Sequence, residues 1–337
     1  MVLLINQITN LEILMKKRLL VITLVLLLLV LGVSLASANG GPHGDYTATT
    51  DACAGCHRTH TAIGPKLLVS NSTYNLCMSC HGSSGTGANT NVDDGIYLAS
   101  RDDAAGDRNH SGENTPSGNS LLGGGFTNYD GESATSSHDM IDEDNTNIAW
   151  GNGVDRGVGA AITDVEFSCA SCHDPHGSGN YRILKERVNG VEISVEQVDE
   201  NAKDYDTEQW GSGTSDLCAA CHASYHETAG WVGSDSSGQV YGGGFTHRVD
   251  MPYHYGGNVN PETIGFTDDG GVNVKVPLAE SGSSDRVVCM TCHLPHGSSA
   301  TMSGIADGGG LPGETSATDS ALLRLENRAV CEACHQK

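Results

Sequence analysis

Apolar residues along this 337-residue chain crowd into one segment and are sparse elsewhere. Leu19–Leu31 is an apolar run that follows Lys16, Lys17 and Arg18, and Ala36-x-Ala38 comes after it. A basic start, an apolar centre and small residues at a cleavage position make a secretory signal peptide. The run is shorter than the roughly 20 residues a spanning helix needs. Removal is therefore expected, with no stable membrane anchor after processing. Residues 1–14 precede the natural start of that signal at Met15 and read as an upstream extension. Beyond residue 38 the pattern changes. The stretches 82–160 and 230–285 are rich in Gly, Asn, Asp and Ser and read as loops with a few short strands. Short helical turns are expected only where a Cys-x-x-Cys-His motif brings i, i+3 and i+4 to one face.

Composition sharpens the question of what is buried. Aromatic residues are 5% of the chain, with 4 Phe and 3 Trp against 44 Gly. Such a chain cannot build a large side-chain core unaided. The formal charge is −23, and −25 once a signal segment holding Glu12, Lys16, Lys17 and Arg18 is removed. So acidic a surface repels nucleic acid and anionic lipid and suits cationic partners or metal ions. The acidic loop "DEDNTN" at 142–147 lacks the Gly and the terminal Glu of a calcium-binding EF-hand and reads as solvated.

All 12 cysteines fall in six Cys-x-x-Cys pairs, each followed at once by histidine. They are Cys53/Cys56/His57, Cys77/Cys80/His81, Cys169/Cys172/His173, Cys218/Cys221/His222, Cys289/Cys292/His293 and Cys331/Cys334/His335. Disulfides and Cys-only zinc sites need no histidine. A c-type haem needs all three residues: two thiols for the vinyl groups and one imidazole for the iron. Six haem c in the 299 residues from Asn39 to Lys337 is about one per 50 residues. The expected fold is therefore a loop-rich multihaem c-type cytochrome with short helices at the haem motifs, little strand and a haem-packed core.

The motifs also repeat in pairs. "CAGCHRTHTAIGPKLLVSNSTYNLCMSCH" is one unit. A second opens "CASCHDPHGSGNYRILKE" and closes "SDLCAACH"; a third opens "CMTCHLPHGSSA" and closes "ALLRLENRAVCEACH". "GGGFT" at 123–127 returns at 242–246. Three two-haem modules follow, with expected boundaries 39–122, 123–241 and 242–337.

Each module opens CxxCHxxH, which supplies an extra histidine: His60, His176 or His296. The two axial ligands of one iron lie on opposite porphyrin faces. One helical turn cannot reach both, so the extra histidine serves a different haem. Six irons need six distal ligands, and nine histidines remain. One from each CxxCHxxH and one from each upstream segment gives His60, His176 and His296 with His43, His138 and His247. His226 and His254 are reserves, and His110 completes the nine.

Motif order across residues 39–337, from CxxCHxxH through "CHDPHG" to a terminal CxxCHxK, resembles the doubled-CXXCH cytochromes. Among them it resembles the hexahaem outer-surface cytochromes that polymerise into extracellular nanowires (OmcS-type). The lengths of the inter-motif segments differ from that pattern. The resemblance implies bis-histidine haems in a continuous stack and, for His60, ligation of a haem in the next subunit. The module pattern has its own consequence. If each CxxCHxxH histidine reaches back one module, His296 serves the haem of His173, and His176 that of His57. His60 then has no earlier module in its own chain, and the haem of His293 has no later one. A head-to-tail homopolymer, with His60 on the haem of His293 in a neighbouring subunit, meets both needs. A monomer in which His226 or His254 fills that place is the alternative. The expected function is secreted, extracellular or periplasmic electron conduction between redox partners or toward metal or mineral acceptors, without catalysis. A multihaem reductase of nitrite, sulfite or hydroxylamine is the competing reading and would require one open iron.

Overall fold

The computed structural model divides the chain into two units, Met1–Ala38 and Asn39–Lys337. It describes residues 15–18, 43, 53–85, 88, 90–97, 121–138, 140, 148–149, 160–161, 167–196, 211–226, 247, 249–253, 261, 266–267, 273–274, 276–279, 285–303, 320–326 and 329–335. The apolar run of the signal segment, the loop at 142–147, the second "GGGFT", His110 and His254 lie outside the described residues. Among the described residues, no helix is long and apolar enough to cross a membrane.

The fold is loop-rich with short helices and little strand. Helices are α1 (Thr73–His81), α2 (Cys169–Cys172), α3 (Thr214–Ala219), α4 (Cys289–Cys292) and α5 (Ala329–Glu332). Every described strand is two residues long and pairs antiparallel with one other. The helices sit at the haem motifs because the chain there supplies local caps and few other helix signals. Ser72 Oγ accepts from the Asn75 N–H to start α1. The N–H groups of Ser168 and Val288, just before α2 and α4, donate to Ser171 Oγ and Thr291 Oγ1. Motif histidines His57, His173, His222, His293 and His335 donate their N–H to the carbonyl of the first cysteine, at 2.8–3.0 Å. Each motif is thus one closed helical turn, with both sulfurs and the imidazole on one side.

A second local structure occurs three times. His57 bridges to Leu68, His173 to Leu184 and His293 to Leu323. Each leucine ends a turn whose central residues are left-handed: Lys66 and Leu67, Arg182 and Ile183, Ala321 and Leu322, all with φ between 51° and 62°. The turns close through Leu68 N–H to Pro65 O, Leu184 N–H to Tyr181 O and Leu323 N–H to Ser320 O, at 2.9–3.1 Å. The flanking bonds repeat too. Residues 58, 174 and 294 donate to the carbonyls of 67, 183 and 322, and residues 69, 185 and 324 to those of Cys56, Cys172 and Cys292. Two successive left-handed residues without glycine are strained, so the surroundings must over-determine the turn.

Among the described residues the side-chain clusters are small, in keeping with the composition. Leu122, Tyr181, Leu184, Ile193, Val195, Ala220, Ala279 and Val288 form one buried cluster. Met78, Phe126 and Met140 form another, against Tyr74, Val92 and Phe167.

Candidate haem sites

The strained turns aim a carbonyl at an imidazole. His57 Nδ1 lies 3.0 Å from Lys66 O, His173 Nδ1 2.9 Å from Arg182 O, and His293 Nδ1 2.9 Å from Ala321 O. Each carbonyl belongs to the first left-handed residue of its turn. A proton held on Nδ1 by such an acceptor leaves Nε2 as the free donor and fixes the ring plane. His81 Nδ1 meets Thr90 Oγ1 at 2.9 Å. The candidate distal rings are tied the same way: His43 Nδ1 to Pro175 O at 3.1 Å, His138 Nδ1 to Pro295 O, and His296 Nδ1 to Gly124 O at 3.4 Å. His176 Nδ1 instead sits 3.5 Å from Asp174 Oδ1.

These histidines come together in pairs. Ring centroids are 6.2 Å apart for His57 and His176, 6.0 Å for His43 and His81, and 6.4 Å for His173 and His296. They are 6.2 Å apart for His138 and His222, and 6.1 Å for His247 and His335. Such spacing matches a metal held between two imidazoles. A metal–nitrogen bond of about 2 Å plus a ring radius of about 1 Å on each side gives about 6 Å. The residues present therefore fit haem iron. Five of the six motif histidines have one such partner. Among the described residues no histidine ring faces His293 in this way, and His60 is exposed.

Burial keeps His81, His138 and His296 in the form that binds metal. Burial first, and His43 second, lowers His81 to about 4. Burial likewise lowers His138 to about 4, and burial, followed by the charge of His173, takes His296 to about 3. Neutral imidazole is the ligating state.

The sulfurs lie close from one motif to the next. Burial raises the Cys56 thiol, with Cys77 and Cys80 adding to it. Cys77 and Cys169 share a hydrogen bond, which raises the first and lowers the second. Burial pushes Cys172 up to about 11, with Cys221 the next cause. Cys218 and Cys289 share a second hydrogen bond, and Cys289 falls to about 7. Burial pushes Cys292 up to about 12, aided by Cys334 and Cys331. Attachment sites one to six are thus neighbours in chain order.

The structure also supplies partners that motif spacing does not reveal. The carbonyls of Lys66, Arg182 and Ala321 give no sequence signal beyond the apolar pair that follows each. Buried Arg324 donates from Nη2 to Leu122 O and Met290 O, beside the fifth motif. Reserve ligand His226 is engaged elsewhere: its Nε2 is 2.6 Å from Asp250 Oδ2 and 3.9 Å from Asp216 Oδ1.

Residues 45–86 and 163–191 match the family model of the doubled CXXCH motif. Two solved structures from Geobacter sulfurreducens are similar: the outer membrane cytochrome S filament and the OmcS nanowires determined by cryo-electron microscopy. They share 18% and 16% sequence identity with this chain, at TM-scores of 0.39 and 0.40. Each match covers 73% of this chain and 81% of the other. No curated protein matches.

Proposed function

We propose that the protein is a hexahaem c-type cytochrome that conducts electrons outside the cytoplasm and polymerises head to tail into a filament. The observation that carries this reading is the set of five histidine pairs at 6.0–6.4 Å. In it, His57 and His176 hold one haem, and His81 and His43 the next. His173 with His296, His222 with His138 and His335 with His247 hold three more. Bound haem c supplies a one-electron couple at each site. The chain's own part is to saturate each iron with two imidazoles, fix each ring through Nδ1 and bring successive attachment sites together. Iron so saturated offers substrate no position, which disfavours the reductase reading.

His293 and His60 remain, and one contact between subunits uses both. His60 is exposed, and Ile63 and Leu67 close to it are 72% and 48% exposed. Large apolar side chains left in water beside an unused ligand suit burial against a second copy. The engagement of His226 by two carboxylates weighs against its serving His293 within the monomer. A donor at one end and an acceptor at the other form a heterologous contact that propagates.

His60→Ala tests the reading in a protein that keeps all six attachment motifs. Intact mass should still show six haems per chain. Electron paramagnetic resonance should show one haem per chain turned high-spin, and electron microscopy should show no filaments. Filaments with every haem low-spin would refute the assembly. A high-spin haem in the native filament would restore the reductase reading.

A further inference from the structure

We propose that Asp216, His226 and Asp250 form a binding site for one first-row transition-metal dication beside the fourth and fifth haem attachment points. The three side chains come from separate parts of the chain. Asp216 lies on α3, two residues before Cys218. His226 ends the turn that follows His222. Asp250 lies in the segment leading into the Met251–Pro252 strand, which pairs with Arg286–Val287. Its N–H donates to Val287 O at 2.7 Å and its carbonyl accepts from Arg286 Nη1, so its backbone is held at both ends.

The donor set is one imidazole nitrogen and two carboxylate oxygens, all within 4.8 Å of one another. Nε2 lies 2.6 Å from one oxygen and 3.9 Å from the other. Ligand atoms around one dication sit about 3 Å apart when each bond is about 2.1 Å. The two observed distances bracket that value, so a shift of about 1 Å or less in each side chain completes the set. Exposure is graded, at 14% for His226, 28% for Asp250 and 50% for Asp216. The imidazole is therefore fixed while one side remains open for an ion and its waters. Mixed imidazole and carboxylate donors favour zinc, manganese or ferrous iron over magnesium or calcium. The large acidic excess of the chain raises the local concentration of any such cation.

Two features separate this cluster from an ordinary acidic surface. His226 is surplus to the histidines proposed for iron, and its Nε2, the atom a ligand would use, points at the carboxylates. The cluster also lies within electrostatic reach of two attachment sites. Asp216 shares α3 with Cys218, and its neighbour Ser215 accepts through Oγ from the Cys289 N–H at 3.1 Å. A dication there would disfavour oxidation of the fourth and fifth haems and raise their potentials. That electrochemical consequence rests on the proposed electron-transfer role; the binding does not.

The test uses holoprotein stripped with a chelator and dialysed against Zn2+ in excess Mg2+, which occupies unspecific acidic sites. Metal analysis should give one saturable Zn2+ per chain. His226→Gln and Asp216→Asn should each weaken it at least tenfold; exposed Asp216 is the variant least able to disturb folding. Zn2+ should also raise the potential of part of the haem population in the native protein and not in either variant. Binding unchanged in both variants, or no saturable site, overturns the proposal and leaves a histidine hydrogen-bonded beside two carboxylates. A high-spin haem in His226→Gln overturns it differently, by making His226 an iron ligand. His60→Ala does not touch this cluster, so failure of the filament reading and failure of the metal site are distinguishable.

Discussion

At the scale of single residues, the glycines before Phe126 explain how His296 is seated. His296 N–H donates to Gly123 O at 2.8 Å, and Gly125 N–H to Gly297 O at 3.2 Å. The ring packs on Phe126 with centroids 4.9 Å apart. Gly124 has φ +82°, and a Cβ there would stand 2.0 Å from Gly297 O. The obstacle is backbone, so it cannot swing aside. "GGGFT" was legible in the sequence as a repeat, but its task was not, because the segment it grips is more than 160 residues away. Gly124→Ala should destabilise the protein by at least about 3 kcal/mol through strain and clash together. It should also release His296, turning one haem per chain high-spin while six remain attached. Denaturant titration together with paramagnetic resonance checks both. An unchanged midpoint with all haems low-spin would mean that the two strands separate more easily than their contacts suggest.

At the scale of elements, the unit that recurs is a one-turn helix facing a left-handed turn. The helix presents the imidazole and the turn's carbonyl fixes it. In the third copy the turn lies 28 residues beyond His293, instead of nine as for His57 and His173, yet the geometry is the same. The turn is therefore selected by its contact with the motif and not by loop length. Ala321 (φ 51°) isolates the backbone from any side-chain effect. Ala321→Gly should stabilise the holoprotein by up to about 1 kcal/mol by removing left-handed strain. Ala321→Pro, which locks φ near −65°, should cost about 3 kcal/mol or more and free His293 from its acceptor. Equal denaturation midpoints for the two variants would show that this turn does not constrain the site. The helices were readable because the six motifs impose them, and the loop-rich character followed from Gly, Asn, Asp and Ser. The turns were not readable. Lys-Leu, Arg-Ile and Ala-Leu carry none of the Gly or Asn that announce positive φ. Nor was the cluster of Asp216, His226 and Asp250, since those residues are adjacent only after folding. The partners of the motif histidines sit between these cases. The reach-back rule nominates His176 for His57 and His296 for His173, whose rings lie 6.2 Å and 6.4 Å apart. No rule of spacing led to the Nδ1 acceptors that orient them.

At the scale of the whole molecule, the question is what makes a chain so poor in aromatic residues adopt one structure. The described apolar clusters are small, and many of their members touch the attachment sites: Cys172 and Met290 pack on the first cluster, Cys169 on the second. Leu68, Leu184 and Leu323 each bridge to a motif histidine. With aromatic residues at 5% of the chain, side chains alone offer little large apolar surface to set against its ordering entropy. The acidic excess, with a formal charge of −23, adds self-repulsion. The fold should therefore depend on haem outright, as zinc fingers depend on zinc. Chain 39–337 made without haem attachment should behave in small-angle scattering as an expanded coil, with a radius of gyration approaching about 60 Å. A monomer carrying its haems, held apart by His60→Ala, should be close to the roughly 19 Å of a compact chain of that length. A haem-free chain near the compact value would show that the polypeptide supplies its own core. The porphyrins would then be guests in a preformed scaffold, and the five histidine pairs would have to be explained as preorganised without them.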